Sequence, residues 1–461
     1  MADAHGSGPC DSNVMRVQVS FPALHREGNT ERYFLFSLYR QITACEAICD
    51  LLIRSEFVVD AIKTERGKTM QYRENPRNHQ KLSALGYGCL RFSKKGTAID
   101  QKKAEEEMEL AIRQGVNYFD TAYTYPGSEV ALGTFLAKGY RDKVSIATKL
   151  PHYYIKASQD MERYFGEQLE RLKTDHVEYY LMHMLNDIGA WERLKLLGIE
   201  EWIAEKKASG QIINIGFSFH GGTENFIKLM DAYDWDFCQI QYNYMDEHSQ
   251  AGRRGLLYAS EKGLPVIIME PLRGGRLVQG LPASAKKIVE QASPSRSAAE
   301  WGLRWLWNQP QVTVVLSGMN DKEQVEENVR IASDSTPGSM SEKELQVIER
   351  IKTEINKYVK VPCTGCGYCM PCPKGVDIPV CFQSYNTSYT DSFFSGMKAY
   401  FMCNALRTNP TGASNCIQCG RCQKRCPQGI AIPEQLKKVK RRMENPVYKI
   451  ARVIAGKIGK Y

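Results

Sequence analysis

Two runs of cysteine carry the most specific chemistry in this chain. Cys363, Cys366, Cys369 and Cys372 recur at three-residue intervals before Pro373, and Cys416, Cys419, Cys422 and Cys426 recur with one longer final step before Pro427. Three thiolates so spaced wrap one compact inorganic core from a single tight loop. The fourth, beside a proline, leaves the loop and can reach a second core, which is the ligand pattern of paired [4Fe–4S] clusters. Zinc usually takes two separated Cys-x2-Cys pairs per site, so a doubled run of four points away from it. The expectation is two [4Fe–4S] clusters.

A second constellation is more dispersed. Asp120, Lys149 and His183 each fall at or just after the end of a short apolar run of β character, and Tyr125 lies five residues past Asp120. Tyrosine is a weak acid with a free pKa of ~10. A lysine ammonium beside it favours the phenolate and brings the proton within reach of a developing alkoxide. Asp120 would hold Lys149 charged and in place, and His183 would hydrogen-bond and orient a carbonyl. That is the equipment for reducing a carbonyl by hydride. Each residue also has a plainer reading: Asp120 and Lys149 as a structural ion pair, because lone buried charges are uncommon, and His183, between Leu181-Met182 and Met184-Leu185, as a satisfied core histidine.

The elements around these residues say how they meet. From Leu82 to about Ala332 a short apolar run, a turn and a helical pattern alternate. Runs at 84–89, 117–119, 144–149, 177–183, 212–218, 237–241, 265–269 and 313–316 make eight. Helical patterns occupy 102–114, 159–172, 191–208 and 297–308, with a further one at 341–357, and Gly115 and Gly210 stand as stop signals. Strands alternating with helices pair in parallel, and eight such units match the size of a (β/α)8 TIM barrel. A doubly wound open sheet is weakened as an alternative, because Leu85-Gly86-Tyr87-Gly88-Cys89 lacks the third glycine of a dinucleotide fingerprint. Chemistry in a barrel sits at the C-terminal ends of its strands, which gathers Asp120, Tyr125, Lys149 and His183 at one rim.

At 461 residues, 43% hydrophobic and 25% charged, the chain reads as a globular protein of two or three domains. The expected division is an extension at 1–69, the barrel at 70–358, a small helical cysteine domain at 359–435 and a basic tail at 436–461. Eight of the fifteen cysteines lie in the two runs, which favours a reducing, cytoplasmic setting over disulfides; Cys381 and Cys403 read as buried thiols. The net charge of +9 is concentrated in the tail, where nine Lys/Arg face one acid, so a nucleic-acid role for the whole chain is not indicated. Interleaved Val447, Ile450, Val453 and Ile454 would also suit docking to an acidic redox partner or a membrane surface. No apolar run of about 18 residues exists to make a transmembrane segment.

Phe119-Asp120-Thr121-Ala122-Tyr123-Thr124-Tyr125, Gly127-Ser128-Glu129, Ala147-Thr148-Lys149, Leu181-Met182-His183, Ile215-Gly216-Phe217-Ser218 and Glu323-Gln324-Val325-Glu326-Glu327-Asn328 together resemble the aldo–keto reductase signature, in its order, over about residues 80–335. The resemblance implies a (β/α)8 barrel that binds NADH or NADPH without a Rossmann fold, with Asp120, Tyr125, Lys149 and His183 as the catalytic set. It further implies Ser218 and Gln239 at the nicotinamide amide, Gly274, Gly275 and Arg276 at the pyrophosphate, and Glu327 and Asn328 at the adenine. Three departures stand out: Phe219 replaces the asparagine after the serine, Met269 the stacking aromatic, and Gly318 and Gln324 the basic groups that grip a 2′-phosphate. The last favours NADH over NADPH or else weakens cofactor binding. The cysteine region resembles two-cluster, helix-rich ferredoxin modules, except that Met370-Pro371 shortens the step to Cys372.

The combination is similar to ferredoxin-fused aldo–keto reductases. It implies an oxidoreductase acting on a small-molecule carbonyl or alcohol, with clusters that relay electrons to or from a redox protein partner. The alternative is an electron-transfer or redox-sensing protein whose clusters are structural or dock a partner and whose barrel has little reductase activity. In ordinary members the segment after the last barrel helix folds over the active-site mouth, so the cysteine domain is expected to begin there.

Overall fold

The computed structural model describes residues 69–458 apart from Thr364, Cys366 and Pro427. The expected extension, save its last residue, and the ligand position of Cys366 lie outside the described residues. Eight parallel strands close into a barrel: β1 (Leu85–Gly88), β2 (Tyr118–Asp120), β3 (Ser145–Leu150), β4 (Val177–Met182), β5 (Ile212–Phe219), β6 (Phe237–Gln241), β7 (Val266–Met269) and β8 (Val312–Ser317). All eight expected runs are strands. The ring is sealed where β8 meets β1, with Val315, Leu316 and Ser317 opposite Leu85, Gly86 and Tyr87. Only glycine suits position 86, since a Cβ there would come within 2.7 Å of the Leu316 side chain.

A first layer of side chains, including Tyr118, Tyr179, Leu181, Phe237 and Ile267, fills the barrel. Below it a hairpin of Tyr72–Glu74 and Lys81–Ser83 closes the bottom, burying Leu82 against the same layer. The larger core lies between the strands and the surrounding helices: α1 (Gln101–Arg113), α2 (Ser128–Leu136), α3 (Gln159–Leu172), α4 (Ile188–Lys195), α5 (Ile199–Ala208), α6 (Thr223–Ala232), α7 (Gly252–Glu261), α8 (Ala283–Gln291), α9 (Ala298–Trp307), α10 (Lys322–Asp334) and α11 (Glu342–Asn356). The single helix expected over 191–208 is two. Gly198 sits at φ 80° between them, a left-handed conformation that ends α4 and lets α5 start in a new direction.

Beyond α11 come the first cysteine loop, α12 (Ile378–Thr390), α13 (Phe393–Tyr400), the second cysteine loop, α14 (Ile432–Met443) and α15 (Pro446–Ile458). Val361, Phe382, Tyr400, Leu436 and Val439 share one small core. The boundary expected after residue 435 therefore falls inside a helix. Lys437, Lys438, Lys440 and Arg441 of α14 are exposed and Arg442 donates to Ser388, but Leu436, Val439 and Met443 recur at helical spacing and are fully buried. Among the described residues no helix is long and apolar enough to cross a membrane.

Candidate active site and cluster cavities

β2 ends on Asp120 and β3 carries Lys149 one residue before its end, so neighbouring strands bring the two together at the upper rim. Lys149 Nζ donates to Asp120 Oδ1 and to the Thr121 carbonyl, both at 2.6 Å. The pair is almost fully buried. Gln239, from the interior of β6, donates to the other oxygen, Asp120 Oδ2, at 3.0 Å. Burial pushes the Asp120 carboxyl up while Lys149 and then Gln239 pull it back. The ring of Tyr125, in the loop after β2, lies 5.1 Å from the same ammonium. Here one expectation is corrected: the Tyr125 phenol is raised well above its ordinary value, first by burial and then by Asp120. The lysine's charge is already matched by a carboxylate and a carbonyl, so it does not draw out the phenolate in advance.

His183 follows β4 and its ring meets that of Tyr125 edge-on, with centroids 6.0 Å apart. Burial lowers its pKa well below the usual range, with Lys149 adding to the effect, so the imidazole is neutral. The hydroxyls of Tyr153 and Thr124 lie 3.3 and 3.4 Å from Nδ1. Both can donate to it, which favours the tautomer with the proton on Nε2, the one that can donate to a substrate oxygen. The four residues singled out in the sequence are thus brought to one place. Tyr153 and Thr124, whose hydroxyls contact Nδ1, carried no signal of their own.

The positions matched to cofactor binding are more scattered. Ser218, at the end of β5, accepts from the Met184 amide at 2.9 Å. Gln239 keeps its Oε1 buried without a hydrogen-bond partner. An acceptor left in that state suits a primary amide such as that of nicotinamide. Met269 ends β7 and packs against the interior layer. Gly274 and Gly275 both hold positive φ, at 64° and 91°, in the loop beyond it. Glu327 accepts from Ser297 at 2.6 Å, and Asn328 donates to Ser317, the last residue of β8, at 3.1 Å. Arg91, unremarked in the sequence, lies across both Gly274 and Gly318: a Cβ on either glycine would meet its side chain within 3 Å. The aliphatic stem of Arg91 crosses Gly318 and its guanidinium lies at Gly274, so a cation not expected from the sequence stands at the loop after β7.

The mouth is covered. A cavity of about 300 Å³ is walled on one side by Arg91, His220, Glu270 and Arg276 of the barrel and on the other by Thr387, Ser395, Lys398 and Met402 of α12, α13 and the turn after it. Arg273 joins the halves, 2.6 Å from Asp246 after β6 and 3.2 Å from Asp391 at the end of α12. Burial alone would raise the Asp246 carboxyl, but Arg273 outweighs it and holds the group low. Gln383 donates to Asp246 at 2.9 Å, and Lys398 reaches Glu270 at 3.3 Å. Glu270 itself sits at φ 53°, a strained backbone for a non-glycine residue.

The cysteines line two further cavities. One is bordered by Cys363, Cys369 and Cys426, the other by Cys372, Cys416, Cys419 and Cys422, and Cys369 lines both. Cys372 thus sits with Cys416, Cys419 and Cys422 of the other run, and Cys426 with Cys363 and Cys369, and the short step before Cys372 suffices for it to cross. Among the described residues no three such side chains close on one point as they would around a single metal ion; a [4Fe–4S] core takes its thiolates on different irons. Cys381 and Cys403 are buried thiols outside both cavities, and burial pushes Cys403 up to about 12.

The chain belongs to the aldo/keto reductase family, whose pattern matches residues 84–344, more than half of its length. Residues 362–436 match the 4Fe-4S dicluster domain. The protein is an oxidoreductase of this family with an iron–sulfur region behind the barrel. Among its relatives, the oxidoreductase YrpG of Bacillus subtilis is 29% identical over 231 residues, 45% of this chain and 68% of that one. The L-galactose dehydrogenase of Arabidopsis thaliana is 26% identical over 59% of this chain and 91% of its own. Among solved structures, aldo-keto reductase AKR11C1 of Bacillus halodurans superposes with a TM-score of 0.52 at 24% identity, covering 61% of this chain and 96% of that one. An aldo-keto reductase of Klebsiella pneumoniae in complex with NADPH gives 0.51 at 24%, over 62% and 95%.

Proposed function

We propose that the barrel reduces a small-molecule carbonyl, or oxidises the corresponding alcohol, with NADH or NADPH. Two [4Fe–4S] clusters, in this reading, pass electrons one at a time between the barrel site and a redox protein partner in the reducing cytoplasm, two of them with one proton being equivalent to the hydride of one turnover. The observation that carries the reading is the buried Lys149–Asp120 pair at 2.6 Å with the Tyr125 ring 5.1 Å from the same ammonium and His183 beside it. The NADPH complex of the Klebsiella pneumoniae protein and the dehydrogenase name of the Arabidopsis thaliana relative support the cofactor class and the substrate class.

The residues divide the work. A carbonyl oxygen set between Tyr125 and His183 accepts from His183 Nε2, which orients the group and draws electron density toward oxygen. The Tyr125 hydroxyl delivers its proton to that oxygen as negative charge develops, and Lys149, held by Asp120 and Thr121, stabilises the phenolate left behind. A nicotinamide bound against Gln239 and Ser218 would supply the hydride. Arg91 and Arg276 offer cations to the phosphates of the dinucleotide. In the cysteine cavities, Cys363, Cys366, Cys369 and Cys426 would hold one cluster and Cys372, Cys416, Cys419 and Cys422 the other, exchanging electrons singly.

The cover formed by α12 and α13 also favours a second reading, in which the clusters brace the lid or dock a partner and the barrel works alone. Anaerobically purified protein is expected to carry about eight irons and eight sulfides per chain and to oxidise NADH or NADPH in the presence of a carbonyl. Carbonyl reduction unchanged in a folded Cys416→Ser/Cys419→Ser variant rejects the relay for that reaction. Failure to bind either nucleotide rejects the reductase.

A further inference from the structure

The first cysteine loop faces the barrel: a Cβ on Gly365 would lie 2.1 Å from the His248 carbonyl, so the loop is pressed against the turn after β6. The second loop is open to solvent. Cys419 is exposed and Ile417 beside it is 59% exposed, an apolar side chain standing out from a cysteine loop into water. Arg421, Lys424 and Arg425 in the loop, and Lys437, Lys438, Lys440 and Arg441 on α14, whose Leu436 lines the same cavity as Ile417, are all exposed, with Glu434 as the one acid between residues 416 and 443. None of these seven cations forms an ion pair among the described residues, whereas Lys138, Lys207 and Lys262 on the barrel each face a carboxylate within 2.7 Å. Lone cations cost solubility nothing, but seven of one sign around an apolar centre repel each other until something negative covers them.

We propose that this face, centred on Ile417 and Cys419 and rimmed by the cations of α14, docks an acidic one-electron carrier protein. The proposal rests on the reading of Cys372, Cys416, Cys419 and Cys422 as ligands of the outer cluster, and it names the partner of that cluster. Steering by opposite charge brings the carrier's acidic face over the exposed loop, and Ile417 supplies the dry contact at the centre. Each encounter passes one electron: the carrier's iron–sulfur centre and the outer cluster change oxidation state by one in opposite senses, with no proton or group moved. A protein carrier fits better than a lipid surface because Arg421, Lys424 and Arg425 lie in the cysteine loop itself, where electron transfer needs contact, rather than on α15 alone.

The test uses the full-length protein with its clusters and an oxidised plant-type [2Fe–2S] ferredoxin as the acidic probe, with binding measured by calorimetry. Binding is expected at low ionic strength and to weaken about tenfold or more at physiological ionic strength. Lys437→Glu/Lys438→Glu/Lys440→Glu/Arg441→Glu is expected to weaken it at least about tenfold with iron content and carbonyl reduction unchanged, while Lys286→Glu/Lys287→Glu on α8 leaves it as it was. The milder Lys437→Gln/Lys438→Gln gives an intermediate loss and guards against misfolding of the fourfold variant. Absence of ferredoxin binding, binding indifferent to salt or to the reversals, or binding of phosphatidylglycerol vesicles in its place overturns the proposal. The readings fail separately: full iron content in Cys416→Ser/Cys419→Ser undoes the ligand assignment, whereas whole clusters without ferredoxin binding undo only the docking.

Discussion

Arg273 and Asp391 lie 3.2 Å apart, one in the loop after β7 and the other at the end of α12, and both side chains are only 7% exposed. Their contact fastens the cysteine region over the mouth of the barrel, and Asp246 completes it from the other side of the guanidinium.

Removing the arginine should hurt more than removing the aspartate. Arg273→Met leaves two buried carboxylates without a counter-charge, a loss of about 3–5 kcal/mol, whereas Asp391→Asn keeps a hydrogen bond and costs about 1–2 kcal/mol. Denaturant melts rank the two, and hydrogen exchange in α12 and α13 shows where the loosening falls. Equal stabilities would mean that the clamp does not hold the lid.

Tyr125→Phe is expected to lower kcat for carbonyl reduction by about 10²–10⁴-fold while the dissociation constant of the nucleotide stays the same. Because burial raises the Tyr125 phenol, the proton is present across the neutral range, and wild-type reduction should show no alkaline decline below the free tyrosine value of ~10. Lys149→Met should lose comparable activity and, by stranding Asp120, also lower stability by several kcal/mol, about 3–5. Activity retained in Tyr125→Phe would remove the phenol from the reaction.

Arg91→Ala tests the cation whose stem crosses Gly318 and whose guanidinium lies at Gly274. The expected result is a KM for NADPH raised about tenfold or more, with that for NADH little changed, since only a 2′-phosphate needs the charge. A uniform rise for both nucleotides would place Arg91 at the pyrophosphate instead.

Crossed ligation has its own signature in iron counts. Cys372→Ser and Cys416→Ser, from different runs, should damage the same cluster, so the double variant loses no more iron than either single one. Cys372→Ser with Cys363→Ser, from one run, should lose both clusters. Additivity the other way round would return each fourth cysteine to its own loop.

His152, one residue past Pro151 at the end of β3, is buried and its pKa is lowered to about 4 by burial, with Arg193 adding to it. A folded-state value below the free value of ~6.5 means that the unfolded chain binds the extra proton between those limits. Stability is therefore intact above about pH 6.5 and falls as pH drops toward 4, by up to about 3 kcal/mol from this residue. His152→Gln should flatten the pH dependence of unfolding in that window; an unchanged slope would show that other groups control it.

Much of this molecule could be read from local pattern. Period and punctuation placed all eight strands, because a buried parallel strand must be apolar and short whatever its neighbours, and the spacing of cysteines along two loops specified their chemistry for the same local reason. Asp120, Lys149 and His183 were legible because barrel topology turns the end of each strand toward one rim. The break at Gly198 and the burial of Leu436, Val439 and Met443 were not, since a glycine or a cation-rich stretch takes its meaning from what packs on it. The crossing of Cys372 and Cys426 was implied by the doubled run, whereas Arg91 against Gly318 and Asp391 on Arg273 join residues far apart in the chain. Their pairing depends on distances that only the closed barrel and its lid establish, so the sequence alone determined which chemistries the protein carries, and the tertiary structure decided which side chains share them.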